Sequence, residues 1–89
     1  MAGDILIIDG VATNRIVLKV KLLASQYRVR PCATLDEARA EIAASLPDLI
    51  LLDISSDAEQ MHAFCQSLKA DANTNLIPII ATGGVRTPR

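Results

Sequence analysis

The sequence predicts an α/β fold, a doubly wound parallel sheet, on two observations. Four short apolar runs, Ile5–Ile8, Tyr27–Val29, Leu49–Leu52 and Ile77–Ile80, alternate with three stretches of helical spacing. The first and third runs are continuously apolar rather than alternating, so both of their faces must be covered, as in a parallel sheet wrapped by helices. Right-handed crossovers between such strands give the doubly wound topology. In sheets of this kind functional groups gather at the carboxyl ends of the strands, beside the point where strand order reverses.

Each element follows from its residues. After the first strand, Ile16, Val20 and Leu23 recur at i, i+4, i+7, with Lys19 and Lys21 off that line, which marks helix one. Helix two opens at Thr34-Leu35-Asp36-Glu37, a capping box in which the Thr34 hydroxyl and the Glu37 carboxylate satisfy each other's exposed backbone amides. Leu35, Ala38 and Ile42 form its buried stripe. Met61, Phe64, Cys65 and Leu68 give helix three an i, i+3, i+4, i+7 face, and Asp71-Ala72-Asn73-Thr74-Asn75 breaks it. Pro78 starts the fourth strand, where a missing N–H costs least.

With 89 residues, 51% of them apolar, the chain is expected to be one globular domain over 1–89. A net charge of −1 with scattered basic residues is no footprint for nucleic acid. The longest apolar runs fall far short of the roughly 20 residues of a membrane span, and no signal peptide precedes them. Cys32 and Cys65 form neither a CxxC pair nor a disulfide framework, so a reduced, cytoplasmic setting is expected and both behave as small hydrophobes. His62, one position off the helix-three stripe, is expected to face solvent. Gly83-Gly84 belongs to no phosphate-cradling pattern and reads as a turn. A four-stranded sheet ending at Gly83-Gly84-Val85-Arg86-Thr87-Pro88-Arg89 has no helix to cover its last strand, so the chain is expected to be incomplete at its C-terminus.

Asp9, Asp53 and Thr82 all fall just beyond predicted strand ends. In that order and spacing, Ile5-Leu6-Ile7-Ile8-Asp9, Leu49-Ile50-Leu51-Leu52-Asp53 and Ile77-Pro78-Ile79-Ile80-Ala81-Thr82 resemble the response-regulator receiver domains of two-component signalling, whose CheY-like fold is a flavodoxin-like three-layer sandwich. Pro47-Asp48-Leu49 and Leu68-Lys69-Ala70-Asp71 are further similar to receivers that precede GGDEF diguanylate cyclase outputs.

The resemblance implies phosphoryl transfer from a histidine kinase or phosphotransfer protein to Asp53, assisted by Mg²⁺. A carboxylate is a weak nucleophile toward phosphorus, and the cation neutralises phosphoryl oxygens and holds the groups in line. It further implies a metal site of Asp9, Asp53 and the Ser55 carbonyl, with Thr82 approximating the phosphate-sensing hydroxyl. The receiver itself is not an enzyme. Its last strand and helices, a lysine among them, and its output domain are expected to lie outside this chain.

Three departures from the family pattern matter. Gly10 stands where a second acid follows the first, so Mg²⁺ binding is expected to be weak. Ser55-Ser56-Asp57-Ala58 replaces the usual loop after the acceptor, with Asp57 and Glu59 as the candidate acids to compensate. Thr82 falls one residue early after Pro78, so either the strand is shortened or Gly83 takes that position. The second function class is therefore a degenerate receiver, unphosphorylated, that serves as a homodimerisation or docking module. A small nucleotide-binding enzyme ranks last, because no Gly-rich phosphate loop or nucleophile–base pair is present.

Overall fold

The computed structural model describes residues 3–55 and 57–83. Strand and helix alternate from end to end: β1 (Asp4–Ile8), α1 (Ala12–Ala24), β2 (Arg28–Cys32), α2 (Leu35–Ala44), β3 (Leu49–Asp53), α3 (Ala58–Ala70) and β4 (Ile79–Thr82). All pairings are parallel and the strand order is β2-β1-β3-β4. The order reverses between β1 and β3, and ligands bind beside such a reversal in open α/β sheets.

Burial explains why the runs Ile5–Ile8 in β1 and Leu49–Leu52 in β3 are unbroken. On one face Leu6 and Ile8 of β1 and Ile50 and Leu52 of β3 meet Ala38 and Ile42 of α2 and Phe64 and Leu68 of α3. On the other face Ile5 and Ile7 are almost inaccessible, while Leu51 is half-buried and Ile80, its register partner, is exposed. The two faces alternate along each strand, as a pleated strand requires.

Half of the predicted capping box forms. Thr34 Oγ1 accepts the Glu37 N–H at 3.1 Å, and Glu37 Oε1 accepts the Ala33 N–H at 2.7 Å. This closes the start of α2 one residue away from the reciprocal bond the capping box leads one to expect. At the far end of α1, Gln26 takes φ 69°, and the Gln26 and Tyr27 amides donate to the Leu23 and Leu22 carbonyls. That is a Schellman closure made without glycine.

Three expectations need correction. The Ile16, Val20, Leu23 stripe is not the packed face of α1: these residues are 62%, 62% and 48% exposed. Arg15, Leu18 and Leu22, on roughly the opposite side of the helix, are the half-buried ones. The helix is apolar on two sides, and periodicity alone does not say which one meets the sheet. The second strand runs beyond Val29 to Cys32 and includes Pro31. It is an edge strand, where a residue without an N–H is tolerated. The fourth strand begins after Pro78, whose carbonyl accepts the Ile50 N–H at 3.0 Å, and extends to Thr82. Thr82 is thus its last residue rather than one beyond it.

A single guanidinium ties β1, β2 and α2 together. Arg30 on β2 donates from Nε and Nη2 to the two carboxylate oxygens of Asp4, at 3.1 and 3.0 Å. It also donates to Glu41 Oε1 at 3.1 Å and to the Glu41 and Ser45 carbonyls at the end of α2, at 3.0 and 2.9 Å. Burial draws its pKa down, but the hydrogen bonds and charges of Asp4 and Glu41 outweigh that and leave it raised.

Candidate functional site

Asp9 lies one residue past β1 and Asp53 ends β3, so adjacent strands deliver two carboxylates to one end of the sheet at the reversal of strand order. Both are buried, at 4% and 6% exposed, which is rare for acids unless something compensates. The compensation is local. Asp9 Oδ1 accepts the Val11 N–H at 2.9 Å, and the Arg15 guanidinium donates to the Asp9 carbonyl at 2.7 Å. Asp53 Oδ1 accepts the Ser55 N–H at 3.1 Å, and Asp53 Oδ2 accepts the Ser55 hydroxyl at 2.9 Å. Among the described residues no buried side-chain nitrogen or oxygen is left without a partner.

Thr82 is the register partner of Asp53, and the Ile54 N–H donates to the Thr82 carbonyl at 2.9 Å, so the ends of β3 and β4 are stitched together here. Asp9, Asp53 and Thr82 line one open cavity of about 280 Å³, together with Asn14, Val17 and Leu18 of α1 and Gly83. Water occupies roughly 30 Å³ per molecule in the liquid, so this space takes a hydrated ion or a phosphoryl group.

Gly83 shapes that cavity. Its φ of +73° is a conformation that side chains avoid, and a β-carbon built on it collides with Asp53 Oδ1. Gly83 therefore faces the Asp53 carboxylate, while Thr82 stands beside it in the strand. Thr82 and Gly83 both line the cavity with Asp53. Sequence reasoning missed Asn14, Val17 and Leu18 as walls. The five-residue step from Asp9 to Asn14 into the first turn of α1 carries no motif by itself.

Gly10 is exposed, and a β-carbon there meets only the Ala33 carbonyl oxygen, at 3.9 Å, so nothing fills the place of the absent acid. Asp57 does not replace it. Its Oδ1 accepts the Gln60 N–H at 3.0 Å as the N-cap of α3, and neither it nor Glu59 lines the cavity. Among the described residues no group of three or more His, Cys, Asp and Glu side chains is gathered where it could hold a metal ion. The fit to a divalent cation thus rests on two carboxylates in one cavity. Magnesium accepts that, since it retains several waters and takes only one or two carboxylates from a protein. His62 is exposed and pairs with Gln66 at 3.1 Å, away from the site.

Comparison with known proteins follows the same lines. No family model matches the chain. It is 35% identical over 80 residues to the response regulator PleD of Caulobacter vibrioides, covering 90% of this chain. It spans only 18% of that relative's length. Among solved structures, the signal receiver domain of a signal transduction histidine kinase from Syntrophus aciditrophicus aligns with a TM-score of 0.85 and 30% identity, over 99% of this chain and 67% of that one. The N-terminal domain of a response regulator receiver protein from Methanoculleus marisnigri JR1 aligns with a TM-score of 0.85 and 27% identity, over 99% of this chain and 72% of that one.

Proposed function

The chain belongs to the response-regulator receiver family of two-component signalling, and from that premise we propose that Asp53 is its phosphoacceptor. The observation that carries this is the placement of Asp9 and Asp53 at the ends of neighbouring strands, in the walls of one cavity. The donor is a phosphohistidine of a kinase or phosphotransfer protein. A carboxylate oxygen of Asp53 forms the new bond to phosphorus, and the histidine nitrogen leaves with the electrons of the broken P–N bond.

Asp9, Asp53 and the Ser55 carbonyl are the residues we propose to hold Mg²⁺. When bound, the cation supplies neutralisation of the phosphoryl oxygens. The protein's own share is positional. The Val11 N–H fixes Asp9, the Ser55 N–H fixes Asp53, and Gly83 leaves the backbone close to the acceptor without a side chain in the way. Thr82 is proposed to contact the phosphoryl group as a second wall of the cavity, in place of a hydroxyl at position 83. Two carboxylates instead of three mean weak affinity for the cation. Residues 1–89 are proposed to act as a single domain in the cytoplasm. No described helix is long and apolar enough to cross a membrane. A diguanylate cyclase output for the whole protein is part of the same proposal and rests on Pro47-Asp48-Leu49 and Leu68-Lys69-Ala70-Asp71.

The absence of an acid at Gly10 favours a second reading, an unphosphorylated receiver that dimerises or docks. Incubation with a small phosphodonor and Mg²⁺, beside Asp53→Asn, separates the two. The acceptor reading expects slow, Asp53-dependent labelling that rises in Gly10→Asp, whose β-carbon meets only the Ala33 carbonyl oxygen at 3.9 Å. No labelling in either protein would leave the docking reading standing.

A further inference from the structure

The two oxygens of the Asp53 carboxylate are not equivalent. Oδ1 is held by the Ser55 N–H at 3.1 Å and crowded by Gly83, where an added β-carbon would collide with it. Both neighbours are backbone and cannot withdraw without moving the loop. Oδ2 has one described donor, the Ser55 hydroxyl at 2.9 Å, and a hydroxyl on a single side-chain torsion can turn away.

We propose that the Ser55 hydroxyl is a latch on Asp53. It occupies Oδ2 in the resting state and releases that oxygen, by rotation of its side chain, to the cation or to phosphorus. Ser55 is thus a positioning residue with two separable parts. Its N–H orients the acceptor through Oδ1 permanently, and its hydroxyl competes for the oxygen that reacts. The proposal rests on the reading of Asp53 as phosphoacceptor. A hydroxyl donor to a carboxylate is a charge-assisted bond, and an incoming ligand must displace it.

The latch adds to the missing acid at Gly10 as a cause of slow reaction, and the two causes respond to different substitutions. Ser55→Ala frees Oδ2 and keeps the N–H. Ser55→Thr keeps both donors.

The test is Mg²⁺ titration of the full chain, followed by the backbone amide shifts of Asp53, Ser55 and Gly83, with no phosphodonor present. Labelling by acetyl phosphate is measured in parallel. In Ser55→Ala the Mg²⁺ midpoint falls roughly tenfold, as removal of one competing hydrogen bond to a charged group predicts, and labelling at subsaturating Mg²⁺ quickens by a similar factor. Ser55→Thr, which retains the hydroxyl, shows neither the tenfold gain in Mg²⁺ affinity nor the faster labelling, whereas a general loosening of the loop would move both variants alike. If wild type labels at Asp53 while Ser55→Ala binds Mg²⁺ no more tightly, the latch is wrong and the acceptor reading survives. If no protein in the series labels or binds Mg²⁺, Gly10→Asp included, both fall.

Discussion

Replacing Arg30 by methionine removes five hydrogen bonds and one charge while roughly preserving the apolar stem. Two of the bonds form a bidentate pair with Asp4, one reaches the Glu41 carboxylate, and two bind carbonyls at the end of α2. The Arg30 and Asp4 side chains are only 10% and 15% exposed, so Asp4 loses its counter-charge in a largely dry setting. Breaking a buried pair from one side costs about 3–5 kcal/mol. Glu41 is 46% exposed and recovers water easily, which places the expected loss at the lower end, about 3 kcal/mol. For a domain of this size that lowers the melting temperature by roughly 12–24 °C. Urea and thermal unfolding followed by far-ultraviolet circular dichroism measure it directly. Arg30→Lys keeps the charge but not the fork and should recover only part of the loss. Adding Asp4→Asn to Arg30→Met should recover part of the loss, because the orphaned charge is then gone while the bonds to Glu41 and Ser45 stay broken. A loss below about 1 kcal/mol for Arg30→Met, the range of an exposed ion pair, would refute the view that this guanidinium clamps three elements.

Other consequences are equally specific. Gly83→Ala places a methyl group against Asp53 Oδ1 at a φ of +73°; the expected loss is about 1–3 kcal/mol, and an unchanged Asp53 environment by NMR would contradict the packing described. Gln26→Gly relieves a left-handed residue at the Schellman closure of α1 and should raise stability by about 0.5 kcal/mol in urea, the gain in the folded state being partly offset by a more flexible unfolded chain. Burial, reinforced by the charges of Glu41 and Glu37, pushes the Cys32 thiol up from 9.0 to about 11. A raised value means that the folded state keeps the proton, so this contribution is whole below pH 9 and is lost as pH climbs through about 11. At about 1.4 kcal/mol per pH unit it amounts to roughly 2–3 kcal/mol. Cys32→Ala, weaker at every pH from lost packing, should show a correspondingly shallower fall between pH 8 and 11, and equal slopes would count against the buried thiol.

Much of this molecule was legible in the order of its residues. The unbroken apolar runs Ile5–Ile8 and Leu49–Leu52 require strands covered on both faces, and Thr34 and Glu37 mark a helix start within one turn. These signals are local, so the chain states them directly. Asp9 and Asp53 could be placed at strand ends for the same reason, and their shared position followed from the rule that doubly wound sheets gather function at the reversal of strand order. Tertiary structure alone decided the matters that depend on which surfaces meet. Helix α1 carries apolar residues on two sides, and only contact with the sheet selected Leu18 and Leu22 over Ile16, Val20 and Leu23. The register of β3 against β4 placed Thr82 level with Asp53 and turned Gly83 toward its carboxylate. Arg30 reads as one more surface base until folding brings Asp4, Glu41 and Ser45 within reach, from 26, 11 and 15 residues away. Periodicity describes how a segment repeats along itself. Partners remote in the chain are chosen by packing, which no single segment contains.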